Sequence, residues 1–110
     1  MANYTDEFSF ILPMHKAQAI DLYELIDETF MDHNLRIECG GFGIWISGEN
    51  GFESEIADLI AEWLGENIPD FDPQIIQGAY YCSKPRANEQ GGWALKLGPN
   101  ISTWGTWKFD

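Results

Sequence analysis

Basic side chains are scarce in this sequence: six lysines and arginines are set against 18 aspartates and glutamates, which leaves a formal net charge of −12. Nucleic-acid-binding proteins gain much of their affinity by neutralising phosphates, so this charge argues against direct nucleic-acid binding. It favours association with basic surfaces, which attract an acidic protein over long distances. An acidic composition is also a common means of staying soluble, without any further role.

Long apolar runs are also missing, since no stretch approaches the roughly 18 residues that a membrane-spanning helix needs. The first eight residues, MANYTDEF, lack the basic and apolar segments of a secretory signal peptide. We therefore expect a cytoplasmic protein without a membrane partner. Cysteine is limited to Cys39 and Cys82, which fit this compartment as thiols within strand patterns, and the sequence leaves open whether they pair.

Recognisable catalytic and ligand-binding motifs are absent as well. The sequence has no Ser-His-Asp spacing, no zinc-ligand pattern and no glycine-rich dinucleotide loop. His15 and His33 have no second ligand at metal-binding spacing, which predicts surface positions for both, and the glycines of 40–43 lead into a strand rather than a helix. We therefore expect a protein that is not an enzyme and that holds no metal or cofactor.

At 110 residues, with 45% of them hydrophobic, the chain is long enough for one domain, 1–110, with an apolar core. Its charge is divided unevenly along the sequence. Residues 1–72 contain 16 acidic and two basic side chains, whereas residues 73–110 contain two acidic and four basic ones. The first segment therefore carries a net charge of −14 and the second a net charge of +2.

Hydrophobic periodicity predicts five strands and two helices, because apolar residues alternate in some segments and recur at three- and four-residue steps in others. The predicted elements, in order, are strand 8–12, helix 14–30, strand 35–39, strand 42–47, helix 51–64, strand 75–82 and strand 93–97. Asn50 is predicted to cap the second helix and Gly65 to end it. The tail, 101–110, could add a short last strand.

This order, β-α-β-β-α-β-β, predicts an α+β fold: a two-layer sandwich of split βαβ, ferredoxin-like type, extended by a C-terminal hairpin. Both helices would lie side by side on one face of an antiparallel sheet. Phe42, Ile44 and Ile46 would then face the helices, and Trp45 would point to the open face of the sheet.

Acidic side chains follow the outer side of both predicted helices and form what we call the acidic face. Its members are Asp21, Glu24, Asp27 and Glu28 in the first helix and Glu55, Asp58, Glu62 and Glu66 in the second. Lysine and arginine are nearly absent there, although opposite charges three or four residues apart stabilise a helix and like charges destabilise it. The acidic face could imitate the phosphates of a nucleic acid, or it could be an ordinary solvated surface.

A second candidate site is the loop that follows the fourth predicted strand, 83–92, which carries Ser83, Lys84 and Arg86. Long ordered loops are more often functional than short ones. Arg86 could bind a carboxylate or phosphate in a forked geometry, and Lys84 could add a point charge. Alternatively, Arg86 pairs with one of the chain's own carboxylates and anchors the loop.

The run from Tyr81 to Arg86, YCSKPR, is followed by the motif GGWA at 91–94 and by STW at 102–104. With these motifs the chain resembles an uncharacterised family of small acidic proteins found in bacteria, phages and other mobile elements. The likeness extends back through residues 41–47 and covers roughly two-thirds of the chain. The family has no known activity, so the resemblance implies no functional residue. It implies a genetic context in which small acidic proteins often inhibit the host's nucleic-acid machinery.

The sequence therefore leads to one main hypothesis and two alternatives. The main hypothesis is a non-enzymatic, phage-type inhibitor whose acidic face occupies the basic nucleic-acid-binding surface of a defence protein, such as a CRISPR effector or a restriction enzyme. The first alternative is a module that binds a small ligand or an anion through the 83–92 loop. The second is an interaction domain that forms a homodimer through the open face of its sheet, with Trp45 in the contact.

Overall fold

A computed structural model describes residues 4–49, 52–82 and 91–108, which form six strands and two helices. The elements are β1 (Tyr4–Leu12), α1 (Lys16–Thr29), β2 (Arg36–Gly40), β3 (Gly43–Gly48), α2 (Ser54–Asn67), β4 (Gln74–Cys82), β5 (Gly91–Gly98) and β6 (Ile101–Lys108). The tail, from which the sequence predicts a short strand, supplies the eight residues of β6.

The strands form one antiparallel sheet in the order β2-β3-β1-β4-β5-β6, and both helices lie on one face of it. The α+β two-layer sandwich predicted from the sequence is therefore confirmed. β1 to β4 have the strand order of a ferredoxin-like core, and the β5–β6 hairpin extends this core beyond β4. β1 joins the two halves of the sheet, because residues 8–12 pair with β3 and residues 4–8 pair with β4.

Side chains alternate across the sheet as the sequence predicts. In β1, Phe8, Phe10 and Leu12 are buried beneath the helices, whereas Ile11 is 48% exposed on the opposite face. Successive residues of a strand point to opposite faces, so one strand can cover the core and face solvent at the same time. Trp45 follows the same rule in β3 and points to the open face, as predicted.

Each helix packs over a different part of the sheet: α1 lies over β2 and β3, and α2 lies over β5 and β6. Apolar residues at three- and four-residue spacing form one buried stripe on each helix. The buried positions are Ala19, Leu22 and Ile26 in α1 and Ile56, Ala57, Ile60, Ala61, Trp63 and Leu64 in α2. Most of the remaining helix surface is polar, although Ile20 and Tyr23 of α1 are also exposed.

Five aromatic rings pack together near the start of α2. They are Phe8, Phe10, Phe52, Trp93 and Trp104, with ring centroids of contacting pairs 5.2–6.4 Å apart. Trp93 lies across Gly78 of the neighbouring strand, where an added Cβ atom would come within 2.1 Å of the indole. The glycine thus leaves the space that the larger ring fills.

The turn between β2 and β3 differs from the prediction. Phe42 does not face the helices: it occupies the turn and is 47% exposed. β3 begins at Gly43, where φ is +116° and an added Cβ would lie 2.2 Å from the carbonyl oxygen of Leu12. Only glycine adopts this conformation without strain at so close an approach to β1.

The limits of α2 also differ from the prediction, since the helix begins at residue 54 and ends at residue 67. Glu53 occupies the N-cap position of the helix, and Asn50, the predicted cap, lies outside the described residues. Gly65 does not end the helix. It lies inside α2, where an added Cβ would come within 2.4 Å of the side-chain amide of Asn100 in the β5–β6 turn. The backbone N–H of Asn100 also donates to the Ala61 carbonyl oxygen at 2.9 Å, so this turn docks on the helix.

Gly43→Ala should lower the free energy of unfolding by about 2–4 kcal/mol, because the new Cβ meets the backbone of β1 and the positive φ becomes strained. Gly41→Ala, in the same turn, is the matched control, since an added Cβ there meets nothing within 4 Å. Its cost should stay below about 1 kcal/mol. Urea unfolding of both variants measures the difference, and equal losses would contradict the role assigned to Gly43.

Candidate functional site

All eight carboxylates of the acidic face are exposed on α1 and α2, opposite the buried stripes of the two helices. Because the helices contact each other on one face of the sheet, the carboxylates share one side of the molecule. On α2, Glu55, Asp58, Glu62 and Glu66 follow one another at steps of three, four and four residues. The carboxylates of the acidic face therefore lie on one side of the molecule rather than on opposite sides.

Few positive groups neutralise this surface. Among the described residues, one basic side chain contacts a carboxylate of this surface: His33 Nε2 lies 3.2 Å from Asp27 Oδ1. The backbone N–H of Leu35 donates to His33 Nδ1 at 3.2 Å, which requires an unprotonated Nδ1 and leaves the ring hydrogen on Nε2, facing Asp27. A neutral histidine therefore binds this carboxylate as a hydrogen-bond donor. His33, predicted to be a surface residue, is only partly exposed, since 10% of its side-chain surface is accessible to solvent.

Asp21 has a structural contact that the sequence did not indicate. The indole Nε1 of Trp63, a buried side chain of α2, donates to Asp21 Oδ2 at 3.2 Å and so links the two helices. The two residues are 42 positions apart, and no local pattern connects them. Asp21 therefore positions the helices relative to each other and also contributes its charge to the acidic face.

The cations with described side chains lie mostly elsewhere. Arg36 and Lys96 are exposed at positions of β2 and β5 whose side chains point to the open face of the sheet. Lys16 is in the first turn of α1. Negative charge is thus concentrated on the helix side of the molecule, and two of these three cations lie on the sheet side.

The open face of the sheet is partly apolar. Trp45 is 39% exposed, and its indole Nε1 donates to Ser9 Oγ of the neighbouring strand at 2.7 Å. Ile11, which pairs with Trp45, and Ile75 of β4 are also exposed. Glu38, which pairs with Trp45 on its other side, adds charge, so this face mixes apolar and polar side chains.

The loop residues predicted as a second site, Ser83, Lys84 and Arg86, lie outside the described residues. A cleft of about 330 Å³ lies at the end of β3. Its lining includes the guanidinium of Arg36 but also the carboxylates of Glu7 and Glu49, so it offers no excess of positive charge for an anion. The described part of the chain contains no group of three or more His, Cys, Asp or Glu side chains that could hold a metal ion.

Cys39 is a half-buried thiol on the core side of β2. Burial raises the pKa of this thiol, and the nearby charge of Lys16 opposes the shift only in part. The thiol is therefore protonated, and weakly nucleophilic, at neutral pH. The side chain of Cys82 is outside the described part, and neither described helix is long and apolar enough to span a membrane.

Comparison of the chain with protein-family models finds no match, and comparisons with curated proteins and with solved structures find none either. The resemblance carried by the YCSKPR and GGWA motifs is therefore one of sequence pattern alone.

Asp21→Ala should lower the free energy of unfolding by about 1 kcal/mol, because the buried indole N–H of Trp63 loses its acceptor. Glu24→Ala, an exposed position of the same helix, should change it by less than about 0.5 kcal/mol. In a Trp63→Phe background the cost of Asp21→Ala should disappear, since the donor is already gone. Urea unfolding of the wild type, the three single variants and the double variant tests this, and a cost that persists in the Trp63→Phe background would rule out the link.

Glu62→Gln should raise the free energy of unfolding by roughly 0.3 kcal/mol, because Glu62 lies four residues from both Asp58 and Glu66 and like charges at that spacing repel. The gain should shrink in about 0.5 M NaCl, where exposed charges are screened. Thermal unfolding at low and high salt measures both effects. A loss of stability at low salt would show that these carboxylates do not repel one another.

Proposed function

We propose that the protein is a non-enzymatic binding protein whose acidic face occupies the basic nucleic-acid-binding surface of another protein. The observation that carries this proposal is the placement of eight exposed carboxylates on two adjacent helices, on one side of the sheet. Such a surface attracts a positive partner and repels nucleic acid.

The spacing of the charges supports imitation of phosphates. Steps of three or four residues along α2 correspond to roughly 4.5–6 Å of axial rise at 1.5 Å per residue. Phosphates of one DNA strand are about 3.4 Å apart along the axis. The linear charge density of one helix is therefore within a factor of about two of that of a strand, and a second helix lies beside it.

The lack of compensating cations favours this function over an ordinary solvated surface. A helix that only needs solubility gains from mixing both signs of charge, since opposite pairs stabilise it. In the described residues, Asp27 is the one member of the acidic face that contacts a basic side chain, and that side chain is a neutral histidine. Repeated repulsion without compensation is what a surface adapted to a positive partner would tolerate.

The class of partner follows from the family resemblance of the sequence. Small acidic proteins of phages and mobile elements often inhibit host proteins that handle nucleic acids, and a CRISPR effector or a restriction enzyme belongs to that class. The proposed complex would block the partner by occupying the site where its nucleic acid binds.

A homodimer through the open sheet face is the second candidate. The exposed Ile11, Trp45 and Ile75 favour it, because they place apolar area on a face that the helices leave uncovered. Light scattering of the chain and of Trp45→Ala separates the two functions, since a dimer that the substitution abolishes would support this candidate.

Two charge-matched variants test the proposal. The first reverses Glu55, Asp58 and Glu62 of the acidic face to lysine, and the second reverses Glu38, Glu49 and Asp72, which are exposed outside the two helices. Host proteins captured by the wild-type chain in low salt are assayed for release of a bound fluorescent DNA duplex. Wild type and the second variant should release it, and the first should need at least about tenfold more protein.

The same assay contains the outcomes that would contradict the proposal. Equal loss in both variants would mean that net charge, not the acidic face, causes the effect. Capture without release of DNA would exclude competition for the nucleic-acid site. Affinity should also fall by about tenfold or more between roughly 50 and 300 mM NaCl, as expected for an interface of many charges, and a flat salt dependence would contradict it.

A further inference from the structure

The outer edge of β6 is long and, among the described residues, unpaired. In the described residues β6 pairs only with β5, and its sequence from Ile101 to Trp107 contains no charged residue and no proline. The other edge strand, β2, is five residues long, carries Arg36 and Glu38, and packs against α1. Short strands and charged side chains usually protect the edges of a sheet from unwanted pairing. β2 has both features, whereas residues 101–107 of β6 have neither.

The backbone groups that this edge offers follow from the register. Gly98 and Ile101 close the two-residue β5–β6 turn, and the pairing continues without a bulge to Gly91 and Lys108. Hydrogen-bonded and non-hydrogen-bonded pairs alternate along an antiparallel ladder. If the closing pair is the hydrogen-bonded one, as in two-residue hairpins, the N–H and C=O groups of residues 102, 104 and 106 point away from β5.

The helix that packs over β6 carries exposed carboxylates. α2 packs over β6, and the β5–β6 turn docks on Ala61 and Gly65 through Asn100. The helical row that holds Ala61 and Gly65 therefore faces the hairpin. Asp58 and Glu62 belong to the next row outward on the helix surface, and both are exposed. A strand added beside β6 would lie about 4.8 Å further out, on the same side of α2 as this row.

We propose that the outer edge of β6 binds an extended, basic segment of the partner protein as a seventh strand. The segment would pair with the backbone of residues 102–106 and direct lysine or arginine side chains at every second position toward Asp58 and Glu62. This inference rests on the proposed function and specifies it: the acidic face supplies attraction, and the strand edge supplies orientation and register.

Charge selects this occupant over a second copy of the chain. Two copies joined through β6 would each carry a net charge of −12 and would bring two α2 helices, with their carboxylates, to the same seam. A basic segment meets the same carboxylates with opposite charge. It therefore gains from both the backbone pairing and the electrostatic complementarity.

Synthetic peptides test the seventh strand on the intact protein. An eight-residue peptide of alternating lysine and threonine is compared with two forms of equal charge, N-methylated at the lysine amides or at the threonine amides. In a given register only one of the two sets of amides, those of lysine or those of threonine, donates to the backbone of β6. The form methylated at that set should therefore bind at least about tenfold more weakly than the unmodified peptide, as measured by calorimetry. Hydrogen exchange of the amides of 102, 104 and 106 should slow when the unmodified peptide is added.

A substitution in the protein supplies the complementary test. Thr106→Pro removes an outward N–H, whereas Thr106→Val keeps it and serves as the control. The proline variant should bind the unmodified peptide at least about tenfold more weakly, and the valine variant should bind it as the wild type does. Near-ultraviolet circular dichroism of both variants shows whether the fold is kept, and the methylated peptides test the proposal even if the proline variant does not fold.

Three results would overturn the seventh strand. They are equal binding of all three peptides, no binding of the unmodified peptide in low salt, and concentration-dependent protection of β6 amides without peptide, which would mean that a second copy occupies the edge. None of these outcomes decides the charge-imitation proposal, because that is judged by release of DNA from an intact partner. Loss of DNA release together with retained peptide binding would overturn the charge-imitation proposal and leave the seventh strand in place.

Discussion

The core of this protein is built from apolar side chains of two layers, and in the described residues no charged or polar side chain is buried in it. Burial of an unpaired charge costs far more than burial of an apolar group gains, so a chain with 18 acids must keep them at its surface. Apolar residues alternate with exposed ones in the strands and recur every three or four residues in the helices. Both patterns bury apolar side chains on one side and leave the acids at the surface. The helices bury one stripe each, and the remaining surface of each helix then accommodates the carboxylates.

Strand and helix types were predictable where the periodicity is clean. The alternation of Phe8, Phe10 and Leu12 and the helical spacing of Leu22 and Ile26 both correspond to buried positions in the structure. The errors fall where a contact between distant segments overrides a local pattern. Residues 50–53 read as a helix start, yet Phe52 instead joins the aromatic cluster before α2 begins.

Gly65 is the second example of such an override. Glycine near a helix end usually marks its last turn, but α2 continues past Gly65. The glycine is required for a different reason: it makes room for Asn100, which lies in a hairpin 35 residues further along.

The candidate site likewise combines features that a local pattern predicts with contacts that it does not. The eight acids and their exposure could be read from the sequence, because they alternate with the apolar stripe. The contacts of Asp21 with Trp63 and of Asp27 with His33 depend on how the chain folds back, and no spacing rule indicates them.

The separation of charge between the two layers gives the molecule an electric dipole across its thickness, with the helices at the negative end. A dipole in the field of a positive surface experiences a torque as well as an attraction. The protein would therefore turn its helices toward such a surface while the two molecules are still apart, and a larger share of their encounters would begin in a productive orientation. Moving two or three acids from the helices to the sheet would leave the attraction in place and remove the alignment.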